Sequence, residues 1–243
     1  MINERLVQYE HEGTLLEGFL AYDDSKTVPG PAVMIAHAWG GRDEFACNKA
    51  RAIAELGYVG FALDMYGKGV LGSGPEKNKR LMQPVLDDRA TLQSRIQVAL
   101  GTLRTLPEIN PDRIAAMGFC FGGLCVLDLA RTGEELCGVI SVHGLFKPPG
   151  NTQGKRIKAK VLVLHGHDDP MVPVEAVIAL EKELTEAGAD WQLHIYGNTK
   201  HAFTNPHANE PDKGKLYSQD ADRRSWITIG SFLREVLDRQ STG

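Results

Sequence analysis

Cysteine is scarce in this sequence: Cys47, Cys120, Cys125 and Cys137 are the four in a chain of 243 residues. Their spacing matches no zinc motif and no disulfide framework, so free thiols and a reducing compartment, most simply the cytoplasm, are expected. Long hydrophobic runs are missing too. No apolar stretch approaches the ~20 residues of a membrane span. The opening residues, Met1 to Gln8, lack the basic segment and apolar stretch of a secretory signal. Positive charge is not in excess, with 27 Lys and Arg against 31 Asp and Glu for a net charge of −4. A nucleic-acid footprint or a basic membrane-binding face is therefore not expected. There are no internal repeats and no low-complexity linker. The loosest segments are 25–30, 67–79 and 207–220.

What remains is ordinary in bulk: 42% hydrophobic and 24% charged residues, enough for one α/β domain spanning residues 1–243. The pattern along the chain is more telling. Residues 6–10 and 15–22 predict an antiparallel strand pair across a turn at 11–14. Residues 31–37 form a continuous apolar run, as expected of a strand covered on both faces. Further strands are predicted at 58–64, 113–117, 138–143, 159–165 and 191–196. Helices are predicted at 44–56, 87–106, 124–130, 174–187 and 224–237, the second as one long amphipathic helix stopped by Pro107. Such alternation predicts a mostly parallel sheet of about eight strands with helices on both faces. Ligand sites in such sheets lie at the carboxyl ends of strands. That rule selects His37, Asp64, Cys120, His143, the 166–169 loop and the segment after Tyr196.

Gly118-Phe119-Cys120-Phe121-Gly122-Gly123 joins a predicted strand to a predicted helix. A sharp strand-to-helix turn between glycines is a nucleophile elbow. Cys120 stands where serine is usual. A thiol attacks well only as thiolate, and a helix N-terminus favours an anion there. It also needs a base, and the base needs an orienting acid. In elbow hydrolases these follow in the order nucleophile, acid, histidine. The acid candidate lies in Gly166-His167-Asp168-Asp169-Pro170-Met171-Val172-Pro173, with Asp169 preferred and Asp168 competing. The base candidate is His201, five residues past the last predicted strand. Backbone N–H groups of Phe121 and Trp39 are placed to form an oxyanion hole. His37 and His143 are candidates for the substrate pocket. Cys47, Cys125 and Cys137 read as core thiols.

These motifs, with His201-Ala202-Phe203 and the stretch from Gly57 to Gly67, resemble the dienelactone hydrolase (carboxymethylenebutenolidase-like) family of the α/β-hydrolase superfamily over residues 6–237. The resemblance implies hydrolysis of a carboxylic ester or lactone through a Cys-His-Asp triad, a small-molecule substrate, and neither metal nor organic cofactor. It also marks departures. The family carries a Glu beside the resting thiol, where this chain has Ala38. An arginine shortly after the family's histidine that clamps a substrate carboxylate is matched here by Asn205, the third pocket candidate. The namesake substrate is accordingly not expected, and either a simpler Cys–His pair or a second carboxylate such as Asp43 or Glu44 has to do the work of the missing one. A monomer or small homo-oligomer is expected. The loss at position 38 motivates an alternative: a non-catalytic small-molecule receptor or thiol sensor on the same fold. A metal site at His165, His167 and Asp169 is a further alternative, for which no further ligand-spaced histidine motif appears.

Overall fold

Apolar residues without alternation make the middle of the sheet. Ala32, Val33, Met34 and Ile35 have no exposed surface, and neither do Ala115, Ala116 and Met117 or Val161 to Leu164. Strands buried on both faces need helices on both sides, and parallel neighbours need long crossovers to carry them. The computed structural model describes residues 1–26 and 29–238. Its strands are β1 (Ile2–His11), β2 (Thr14–Asp23), β3 (Gly30–Ala36), β4 (Val59–Ala62), β5 (Ile109–Phe119), β6 (Gly138–Val142), β7 (Lys160–Gly166) and β8 (Trp191–Tyr196). They form one eight-stranded sheet in the order β1-β2-β4-β3-β5-β6-β7-β8. β1 pairs antiparallel with β2, and β2 with β4; every later pairing is parallel. This is the expected α/β-hydrolase architecture.

The helices are α1 (Glu44–Glu55), α2 (Pro75–Asp87), α3 (Arg89–Arg104), α4 (Phe121–Arg131), α5 (Val174–Glu186) and α6 (Gln219–Leu237). Buried residues of α3, α4 and α5 share one core layer, and those of α1 and α6 share the other. The helix predicted at 87–106 is α3, trimmed by two residues at each end; Asp88 leaves helical geometry and caps it, accepting from the Thr91 N–H at 3.0 Å and the Thr91 hydroxyl at 2.8 Å. The helix before it, α2, was not expected; its first residues, 75–79, fall in the segment read as loose, it starts with Pro75 in its first turn and it buries only Val85. α6 begins at Gln219 rather than 224, because Ser218 accepts from the Ala221 N–H at 3.4 Å. The loose segment 207–220 holds a two-stranded ribbon, β9 (Asn209–Glu210) with β10 (Lys215–Leu216). Of the loose segment 25–30, residues 27 and 28 lie outside the described residues.

A buried ionic network braces α4. Asp128, with no exposed surface, is held by the Arg89 guanidinium at 2.6 Å and by Arg131 at 3.1 Å. Arg131 also donates twice to Glu183 of α5, both at 2.7 Å, and to the Phe146 carbonyl at 3.0 Å. The desolvation cost of these charges is met by full hydrogen bonding. Among the described residues no helix is long and apolar enough to cross a membrane.

Candidate active site

Glycine at two positions lets β5 turn into α4 at contact distance from its neighbours. A Cβ on Gly118 would sit 2.0 Å from the Gly122 carbonyl oxygen, and one on Gly122 would sit 2.1 Å from that of Ala36. Such backbone contacts have no room to relax. Between these glycines Cys120 adopts φ 56° and ψ −116°, a left-handed conformation that a residue with a Cβ rarely takes. The turn raises the half-buried Cys120 at the mouth of α4, with the Phe121 N–H directed to its sulfur.

Asp169 and His201 follow the ends of β7 and β8. Asp169 Oδ2 lies 2.7 Å from His201 Nδ1, and both residues are buried. Asp169 Oδ1 accepts the Met171 N–H at 2.9 Å, so the carboxylate is fixed at both oxygens. Asp168 is exposed, and it is its neighbour Asp169 that reaches the imidazole. His201 is gripped through its backbone: its N–H donates to Gly214 at 2.9 Å, and its carbonyl accepts from Leu216 at 3.1 Å. The ribbon thereby holds the loop that carries the ring.

The charges follow from this geometry. Burial pushes the Cys120 thiol pKa up, but the neighbouring His201 charge and the Phe121 N–H outweigh it and bring the pKa below the usual thiol value. Burial lowers the His201 pKa, but the Cys120 charge and the bonded Asp169 carboxylate outweigh it and raise the pKa to about 10. Each group thus favours the charged form of the other. No carboxylate at position 38 takes part. Asp43 caps α1, accepting the Ala46 N–H at 3.2 Å. Glu44 is exposed and pairs with Arg51 at 2.5 Å. Both candidate substitutes are engaged at the start of α1, and the neighbouring charge that favours the Cys120 thiolate is that of His201.

The other expected residues divide. The Trp39 N–H has no hydrogen-bond partner among the described residues. Its carbonyl accepts the Tyr66 hydroxyl at 3.1 Å, and the Lys215 ammonium lies 4.7 Å from its ring centre. His37 is fully buried with both ring nitrogens occupied, Nδ1 against the Ala38 carbonyl at 2.6 Å and Nε2 accepting the Met65 N–H at 3.1 Å. It has no free polar atom for a ligand and packs under Tyr66 at 4.8 Å. His143 is buried and turned toward the His201 loop, with Nε2 2.8 Å from the Thr204 hydroxyl. Asn205 uses its side-chain oxygen to accept the His207 N–H at 3.0 Å, closing a turn. Asp64 is a knot in its own loop, accepting the N–H groups of Glu17, Tyr66 and Gly67 at 2.8–3.1 Å. Among the described residues no three His, Cys, Asp or Glu side chains gather as a metal site. Tyr66, Thr204 and Lys215 escaped the sequence reading. Tyr66 could have been found from its place two residues past the end of a predicted strand; the other two carry no local signal.

A family model described as the dienelactone hydrolase family matches residues 16–237. Putative carboxymethylenebutenolidases of Aquifex aeolicus and Saccharolobus solfataricus are 28% and 27% identical, each alignment covering 96% of this chain and 99% of the relative. A solved dienelactone hydrolase-like promiscuous phosphotriesterase from metagenomic libraries superposes with a TM-score of 0.92 at 34% identity, over 97% of this chain and 98% of that one.

Proposed function

The chain belongs to the dienelactone hydrolase family of ester and lactone hydrolases, and we propose that it works through a Cys120 nucleophile, a His201 base oriented by Asp169, and a thioacyl-enzyme. The observation that carries this reading is the set at three strand ends: Cys120 at the elbow with its pKa lowered, and His201 with its pKa raised and locked to the buried Asp169 carboxylate at 2.7 Å.

The Cys120 sulfur attacks the carbonyl carbon of an ester or lactone. The Phe121 and Trp39 N–H groups receive the negative charge on the carbonyl oxygen. The tetrahedral intermediate collapses, the carbon–oxygen bond to the leaving group breaks, and His201 Nε2 gives its proton to the departing alkoxide. Neutral His201 then takes a proton from water, and the hydroxide attacks the thioester. The carbon–sulfur bond breaks and the thiolate returns. Asp169 holds the ring with Nδ1–H toward its carboxylate throughout, which leaves Nε2 for chemistry. A thiolate leaves more readily than an amide nitrogen, so activated esters, enol lactones and thioesters suit this site better than peptides. With Ala38 in place of a carboxylate, His201 is the group in this reading that draws the thiol toward its ionised form.

The test is turnover of a panel of aryl esters, lactones and thioesters, with an aryl phosphotriester added because the 34%-identical relative is named for that activity. Intact-mass analysis should find a labile acyl adduct on the wild type and none on Cys120→Ala. Turnover unchanged by that substitution sinks the reading. A ligand-induced thermal shift without product across the whole panel would favour a receptor instead.

A further inference from the structure

Cys120 and His201 come from opposite sides of the site, and the end of β6 reaches both. The Val142 carbonyl accepts the Cys120 N–H at 3.1 Å, so the elbow hangs from this strand end. The next residue, His143, donates its N–H to Leu164 at 2.8 Å, which ties the same point to the strand that leads to Asp169. Its side chain turns the other way. Nε2 lies 2.8 Å from the hydroxyl of Thr204, three residues past His201. The ring meets that of His201 edge-on, centres 5.2 Å apart and planes at 64°, and that of Phe203 at 5.1 Å. His143 is 2% exposed and Thr204 1%, so solvent does not compete for the bond between them.

The backbone carries a matching signal. His143 sits at φ 37°, left-handed geometry that persists only where the surroundings over-determine it. Burial and the neighbouring His201 charge both hold the ring neutral, so it adds no second cation beside the imidazolium. A phenylalanine could supply the edge contacts. The hydrogen bond to Thr204 is what histidine adds.

Building on the Cys120–His201 reading, we propose that His143 is a positioning residue: the end of β6 sets the spacing between the thiol and the His201 ring, with the His143–Thr204 hydrogen bond as the clasp. In this reading a residue expected to line a substrate pocket spans the two halves of the catalytic pair.

The experiment compares wild type with His143→Phe, His143→Gln, Thr204→Val and the double variant His143→Phe/Thr204→Val. The readouts are the pH dependence of iodoacetamide alkylation, followed on the Cys120 peptide, and kcat and KM on the best ester of the panel. His143→Phe and Thr204→Val should each raise the apparent thiol pKa and lower kcat about tenfold, with KM within about twofold. The double variant should be no worse than the poorer single, because one bond is lost in all three. His143→Gln, which can still reach a hydroxyl, should recover part of the loss. Thr204→Val exchanges only a hydroxyl for a methyl, so it decides the matter if His143→Phe does not fold. A depressed wild-type thiol pKa that stays the same in the folded variants overturns the role of His143 alone. A wild-type thiol with an ordinary pKa overturns the ion pair, and the clasp with it.

Discussion

From Phe121 to Arg131 every residue is buried, and the chain ahead of it turns on glycines that admit no side chain. From 197 to 216 the chain is irregular and largely exposed; Thr199, His201, Phe203, Thr204 and Gly214 are its buried points. In the proposed mechanism one region brings the nucleophile and the other the base. The nucleophile is placed by what is absent: no Cβ at two contacts and no solvent along the helix behind it. The base is placed by what is added: an aspartate on its ring, a ribbon on its backbone, and a clasp on the loop that follows. Close packing tolerates almost no change in volume. A hydrogen-bonded loop can lose one tie and keep its shape. Damage to the elbow should therefore register first as lost stability, and damage to the loop as lost rate.

The comparison breaks most sharply at Asp169. Asp169→Asn should lower kcat by about 10^2–10^4, since an orienting acid that no longer fixes the tautomer costs on that scale, while melting stays close to wild type. Equal losses of stability and rate would mean that the two regions do not differ in kind. On the elbow side, Asp128→Ala strips the carboxylate from two arginines behind α4. A broken buried pair costs about 3–5 kcal/mol, to be read from urea unfolding. Gly122→Ala drives a methyl into the Ala36 carbonyl and should cost about 1–3 kcal/mol or more by overpacking, with activity per folded molecule falling as well. At the loop's rim, Glu210→Ala removes an ion pair to Lys215 whose carboxylate side chain is 40% exposed. It should cost under about 1 kcal/mol of stability, with a few-fold change in rate as the sensitive readout.

The pH profile sharpens the same contrast. The lowered Cys120 pKa extends the thiolate to lower pH than an ordinary thiol allows, and alkylation should slow only as pH falls through that depressed value. Hydrolysis should fail again on the alkaline side as the His201 imidazolium, at about 10, gives up its proton. Cys125, whose pKa burial pushes well up, should stay unmodified across the range and serve as the internal control. Peptide-level mass spectrometry separates the two thiols.

The parts legible in the sequence were those written locally. Continuous apolar runs marked the strands, the glycines around Cys120 marked the elbow, and the 166–173 motif and the histidine after the last predicted strand supplied acid and base. What escaped was set by single side chains or by distant pairing. α2 carries Pro84 in its interior, and its apolar stripe of Leu81, Met82, Val85 and Leu86 is short and only Val85 is buried, so it escapes notice. The ribbon at 209–216 exists because it pairs with the His201 backbone. His37 and His143 are identical in sequence terms, each ending an apolar strand, yet one is saturated by its own loop and the other reaches across to Thr204.

The order of the strands also bears on how the protein is made. β5 and its thiol lie at the middle of the chain, while the strands that deliver Asp169 and His201 are laid down one after another behind it. A ribosome that has released the elbow has not yet synthesised the imidazole. Until β7, β8 and the ribbon have emerged, Cys120 has neither Asp169 nor His201 beside it. The residues proposed to act together therefore meet only after most of the last third of the polypeptide is laid down.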